Sequence, residues 1–213
     1  MGSSRRKAAR VCEHLYLIVG LGNSGAEYAG TRHNAGFQVV ARLAERWHAR
    51  WTSDRELKAR LARTVVEGRR VMLCQPQTYM NLSGVAVAAV GGYYRVPLPQ
   101  VLVVVDDADL PLGELRMRSG GGPGGHHGLE SIEQHLATRE YARLRLGIGR
   151  STSATSERQS SDDVLSRFTP VEAELWDSVL ARAADQAACW LTVGLELAMT
   201  RFNGVINTIK EQQ

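Results

Sequence analysis

Apolar positions along this 213-residue chain follow two habits: unbroken runs of about five residues, and spaced sets that recur every three or four. The runs Leu15–Val19 and Val101–Val105 are continuous and largely β-branched, which predicts central strands buried on both faces. Between them, Phe37, Val40, Ala41, Leu43, Ala44 and Trp47 recur at helical spacing, predicting a helix capped by Asn34 and running to about Trp51. Leu61–Glu67 and Arg70–Gln75 flank Gly68 as a hairpin, and Pro76–Asn81 reads as a loop. Ser83 is placed to cap and open a second helix reaching about Tyr94, with Pro97 and Pro99 bracketing the turn beyond it. Glu114–Arg118 and Ala142–Ile148 read as further strands. Gly128–Leu136, Val171–Thr192 and most of Gly194–Asn203 read as helices. Strands alternating with helices predict an α/β fold: a single domain with a mixed, twisted sheet sandwiched between helices.

Composition changes this picture only at the edges. With 44% apolar and 23% charged residues the chain is ordinary globular material, long enough to bury a proper core. The formal net charge of +4 owes much to Arg5, Arg6, Lys7 and Arg10, so residues 1–13 read as a flexible basic tail before one domain spanning 14–213. Ser151–Ser161 is polar, lacks apolar anchors and is expected to be a surface loop. Cys12, Cys74 and Cys189 are odd in number and far apart, so neither a disulfide framework nor a C-x-x-C metal site is expected, which suits a reducing compartment. No apolar run is long enough to span a membrane and the tail has no signal-peptide core, so a cytoplasmic location is expected.

Candidate chemistry concentrates at the ends of the predicted strands, where open α/β sheets place ligands. Gly20-Leu21-Gly22-Asn23-Ser24-Gly25 matches the dinucleotide fingerprint G-x-G-x-x-G. A working fingerprint needs a helix to start within the glycines, whereas here the helical pattern begins only after His33, and Glu45, the acid about 20 positions on, lies inside that helix. The glycines therefore read as a tight turn presenting Asn23. Asp106 closes an apolar strand, and a carboxylate there can orient the imidazole of His33 and leave its second nitrogen as a base. No G-x-S-x-G element is present. Five of residues 120–125 are glycine, which excludes regular structure before His126-His127. That histidine pair lacks any metal-ligand spacing. One of the two is expected to orient the loop while the other faces the site. Arg116 and Arg118, like Arg143 and Arg145, share a strand face, either as a phosphate-binding stripe or as a solvated surface.

In order along the chain, GLGNSGAEYAGTRHNAG, QPQTYMNLSG, VVVDDADLPLG, SGGGPGGHHGL and RLRLGIGR cover about residues 15–150 and together resemble bacterial-type peptidyl-tRNA hydrolase. The resemblance implies hydrolysis of the ester between a peptide, or an N-blocked aminoacyl group, and tRNA, by a monomer needing neither metal nor cofactor. It implies that His33 is the base and Asp106 its orienting carboxylate. Asn23, Tyr28, Tyr79, Asn81 and position 127 would touch substrate, and Arg118 and Arg145 would hold acceptor-stem phosphate. Two residues depart from the family pattern. Ser24 replaces a proline at the first turn, and His127 replaces an asparagine, which is expected to alter rate or pH dependence. Some relatives serve as RNA-binding splicing partners, so an RNA-binding protein with weak or absent hydrolysis is the alternative expectation.

Overall fold

A computed structural model describes residues 15–149 and 166–206; the expectations for the basic tail and for Ser151–Ser161 lie outside these residues. Eight strands form one sheet: β1 (Leu15–Gly20), β2 (Trp51–Asp54), β3 (Ala59–Val66), β4 (Arg69–Pro76), β5 (Val101–Asp107), β6 (Glu114–Arg118), β7 (Ala142–Gly147) and β8 (Gly204–Val205). Their order across the sheet is β2-β3-β4-β1-β5-β7-β6-β8. β4, β1, β5 and β7 run parallel, while β2, β3, β6 and β8 pair antiparallel at the two sides, so the sheet is mixed as expected.

The longer helices are α1 (Ala35–Arg46), α2 (Ser83–Tyr93), α3 (His127–Leu136), α4 (Pro170–Thr192) and α5 (Leu195–Phe202). One apolar layer joins α1, α4 and α5 to the sheet through residues such as Val40, Leu43, Val179, Ala183 and Trp190. The other joins α2 and α3 to the opposite face through Val87, Val90, Leu129 and Ile132. β1 and β5 lie between these layers, which is why both read as unbroken apolar runs.

Two boundaries differ from the sequence reading. The first helix stops at Arg46, and Trp51 opens β2, a short strand paired with β3. His48 takes a positive φ of 52° at the break, a turn that no glycine or proline announces. Ser83 is the first residue of α2, but its hydroxyl donates back to the Met80 carbonyl and caps nothing.

Close backbone approach shapes the end of the sheet that carries Gly20 and Asp106. A Cβ on Gly20 would lie 2.1 Å from the Gly36 carbonyl oxygen, and one on Gly36 would lie 2.3 Å from both the Leu21 nitrogen and the Val104 carbonyl oxygen. α1 therefore starts in direct contact with the ends of β1 and β5, which carries the turn holding His33 onto the end of β5, beside Asp106. Gly36→Ala is expected to force these elements apart, costing on the order of 3 kcal/mol. The denaturant midpoint should fall accordingly, and an unchanged midpoint would contradict this packing account.

Candidate active site

His33 sits in the middle of a single 3-10 turn, Arg32–Asn34, just before α1. Its Nδ1 lies 2.9 Å from Oδ2 of Asp106, a buried carboxylate at the end of β5. The other carboxylate oxygen, Oδ1, lies 3.2 Å from Nε2 of His126. His126 is the N-cap residue of α3, and its Nδ1 accepts hydrogen bonds from the Gly128 and Leu129 amides at 3.1 and 3.4 Å. An imidazole nitrogen that accepts from an amide carries no proton, so in neutral His126 the proton is on Nε2, which donates to Asp106. A carboxylate only accepts, so Nδ1 of His33 donates as well. The protonation pattern follows from these partners: Nε2 of His33 carries the lone pair, and it has no hydrogen-bond partner among the described residues.

Electrostatics reinforces the arrangement. Burial works against charging His33, but the Asp106 charge and its hydrogen bond outweigh it, lifting the imidazole pKa above its ordinary value of 6.5. Burial also opposes charge on Asp106, yet the two imidazoles beside it hold the carboxyl well below the usual carboxylate range. Among the described residues, His33, Asp106 and His126 are the side chains close enough together to hold a metal ion. Both nitrogens facing Asp106 carry protons, and the remaining His126 nitrogen is committed to backbone amides.

Asn34, read as a helix cap, makes no capping bond. Its side-chain amide instead clamps the Asn23 turn, accepting from the Asn23 nitrogen at 2.8 Å and donating to the Asn23 carbonyl at 3.0 Å. Only the main chain of Asn23 is used in this clamp. Tyr28 ends the next 3-10 turn, Ala26–Tyr28, where it is half-buried. Tyr79 and Asn81 are exposed around the 3-10 turn Met80–Leu82, Tyr79 being 79% accessible. A Cβ placed on Gly128 would lie 2.7 Å from Met80 Sδ and 2.9 Å from Leu21 Cδ1, so the start of α3 packs against both this turn and the residue that follows β1.

Of the histidine pair, His126 is the one that joins the cluster. His127 points outward, 75% exposed along its side chain, with Nδ1 3.0 Å from Glu130 on its own helix. The structure does not bring the His127 side chain together with His33 and Asp106. Its place among the substrate-contacting residues rests on the family resemblance alone.

The arginine row divides in the same way. Arg116 pairs with Arg145 and Arg118 with Arg143 across β6 and β7, so the four share one face of the sheet. Arg143 is buried and holds the Gly122 and Arg139 carbonyls. Arg145 donates to Asp107 at 2.9 Å and to the Gly122 and Pro123 carbonyls at 2.8 and 3.1 Å, bracing the glycine loop. Arg118 is exposed, with no hydrogen bond or ion pair among the described residues. The sequence assigns no place in the site to Arg32 or Asn34, and does not separate His126 from His127 as the histidine that faces it. The one available signal was the position of His126 between the glycine loop and a helix start, the place of an N-cap.

A family model described as peptidyl-tRNA hydrolase matches residues 17–212. The chain belongs to this family. A peptidyl-tRNA hydrolase of Chloroflexus aggregans is 47% identical over 190 residues, covering 89% of this chain and 99% of the relative. One from Thermosynechococcus vestitus is 43% identical over 191 residues, covering 88% and 93%. The crystal structure of peptidyl-tRNA hydrolase from Acinetobacter baumannii superposes with a TM-score of 0.83 at 34% identity, covering 93% of this chain and 98% of that one. A peptidyl-tRNA hydrolase crystallised with N-propanol reaches 0.84 at 35% identity, covering 91% and 96%. The mixed α/β architecture expected from the sequence is thus that of the peptidyl-tRNA hydrolases.

Proposed function

We propose that this protein hydrolyses the ester bond between a peptide, or an N-blocked aminoacyl group, and tRNA, freeing the tRNA for reuse in translation. The observation that carries this reading is the His33–Asp106 pair, whose geometry leaves Nε2 as an unengaged base in a family of peptidyl-tRNA hydrolases. Nε2 of His33 takes a proton from water as the water oxygen attacks the ester carbonyl. Asp106 stabilises the imidazolium that forms, which then returns the proton to the departing ribose oxygen. The elements of water are thereby divided between a free peptide carboxyl and a tRNA hydroxyl.

Asn23 and Asn81, each offering an amide donor and acceptor, recognise the peptide main chain without demanding a sequence. Tyr28 and Tyr79 offer aromatic faces beside them. Arg118, which has no hydrogen bond or ion pair among the described residues, meets an acceptor-stem phosphate, and Arg145 joins it by exchanging its glycine-loop carbonyls for phosphate oxygens. No helix among the described residues is long and apolar enough to cross a membrane. We take the protein to act as a monomer in the cytoplasm.

The test is release of N-acetylated amino acid from its tRNA ester by purified protein in the presence of a chelator. Release is expected. Binding of tRNA without release would favour a noncatalytic RNA-binding role, and a requirement for added metal would reopen the His33–Asp106–His126 cluster as a metal site. Because His127 projects into solvent, His127→Asn is expected to preserve or raise turnover in the same assay, and near-complete loss would give His127 an essential role.

A further inference from the structure

Arg32 immediately precedes His33 and is buried, with a side-chain exposure of 8%. Its Nη1 donates to the Ile148 carbonyl just beyond β7 at 2.7 Å, and its Nη2 donates to Oε2 of Glu172 in the first turn of α4 at 2.7 Å. The guanidinium also lies 4.5 Å from the centre of the Phe168 ring, which stacks on Trp176. Around it, the Arg32 amide donates to the Ser166 carbonyl, and Thr31 forms an isolated bridge with Arg167. Gln38 ties both sides together, donating to the Thr31 carbonyl and accepting from Trp176 Nε1. The turn holding His33 is thus gripped by residues more than 110 positions later in the chain.

Glu172 does two jobs through one oxygen. Oε2 takes the Arg32 hydrogen bond and also accepts from the Thr169 amide and hydroxyl, while Thr169 Oγ1 accepts from the Glu172 amide to complete a capping box. Charge-assisted, geometrically forked contacts of this kind fix a side chain more tightly than neutral ones. A base must also be held close to one position, because a displacement of about 1 Å at a reacting group costs roughly a hundredfold in rate. We infer that Arg32 and Glu172 form a clamp that positions His33 for catalysis, linking the start of α4 to the base through the guanidinium fork. Neither residue touches substrate. Both act through His33, so the inference rests on the hydrolytic reading of this site.

The test compares Glu172→Ala with Thr169→Ala in the full-length protein. Both remove a capping bond and both are expected to lower the melting temperature, but only Glu172→Ala frees the Arg32 guanidinium. Glu172→Ala should reduce kcat about ten- to a hundredfold with KM and tRNA affinity unchanged. Thr169→Ala should stay within about twofold of wild type. Arg32→Lys should behave like Glu172→Ala, since a single ammonium cannot span both acceptors as the fork does. Arg42→Ala, which breaks the exposed Arg42–Asp177 pair of 2.7 Å between α1 and α4, serves as a control expected to leave kcat unchanged. A wild-type kcat in Glu172→Ala, or equal losses in the Glu172 and Thr169 variants, overturns the clamp while leaving the hydrolase reading intact. Should the wild type itself prove inactive, the hydrolytic reading fails separately. The ring 1H–15N signals of His33, assigned by their loss in His33→Ala, then decide the clamp: they should shift in Glu172→Ala but not in Thr169→Ala, and identical spectra would overturn it.

Discussion

His33→Ala is expected to lower the rate of ester release by about 10²- to 10⁴-fold while tRNA binds as tightly as to the wild type. The imidazole is the group whose free nitrogen can take a proton from water. Nothing else in the Asp106 cluster can replace it, because Nε2 of His126 donates to Asp106 and Nδ1 is occupied by two backbone amides. The protein should remain folded, since His33 lies on a partly accessible turn outside both apolar layers. Single-turnover release of an N-acetyl-aminoacyl group, measured beside filter binding of deacylated tRNA, separates the two effects. Retention of near wild-type release would remove His33 from the mechanism.

Asp106→Asn should be about as damaging, on the order of 10³- to 10⁴-fold, by a different route. Both Asp106 oxygens accept an imidazole proton in the wild type. An asparagine offers one acceptor oxygen and one donating nitrogen, so one histidine must reverse its tautomer. His126 cannot do so without abandoning the Gly128 and Leu129 amides at the start of α3. His33 therefore reverses, placing its proton on Nε2 and losing the base where it is needed, the kind of wrong-tautomer penalty that costs serine-protease triads about 10⁴-fold.

The pH profile gives an independent check. The base acts only when unprotonated, so kcat/KM of the wild type should fall as pH drops through the raised His33 pKa, with the midpoint of this acid limb above 6.5. Removing the Asp106 charge takes away what raises that pKa and leaves the burial that lowers it. The acid limb of the residual Asp106→Asn activity should move to lower pH. An acid limb that stays in place would show that another group sets it.

Residues whose role follows from local rules are legible in the amino-acid sequence alone. β1 and β5 announce themselves because strands covered on both faces have no polar side to interrupt the run. The β3–β4 hairpin is marked by its central glycine, and α1 by apolar positions at helical spacing, although its end falls earlier than that spacing predicts. β2 escapes because it is a short, half-exposed strand entered through a left-handed His48 with no glycine to mark the turn. Asn34 carries the residue type of a cap, yet its amide satisfies the Asn23 main chain instead. His126 and His127 are chemically identical neighbours. The start of α3 separates them, turning one ring back onto the helix amides and Asp106 and the other out toward Glu130.

The layered α/β architecture, the family and the residue types available for an ester hydrolysis are legible along the chain, because periodicity, turn chemistry and ordered motifs are properties of neighbouring residues. Which of those residues come together is a matter of the three-dimensional fold. His33 meets Asp106 across 73 positions, Arg32 meets Glu172 across 140, and Arg145 turns inward to brace the glycine loop while Arg118 is exposed on the same sheet face. Such pairings depend on strand order and on backbones packed as closely as Gly20 against Gly36, and neither leaves a periodic trace in the chain.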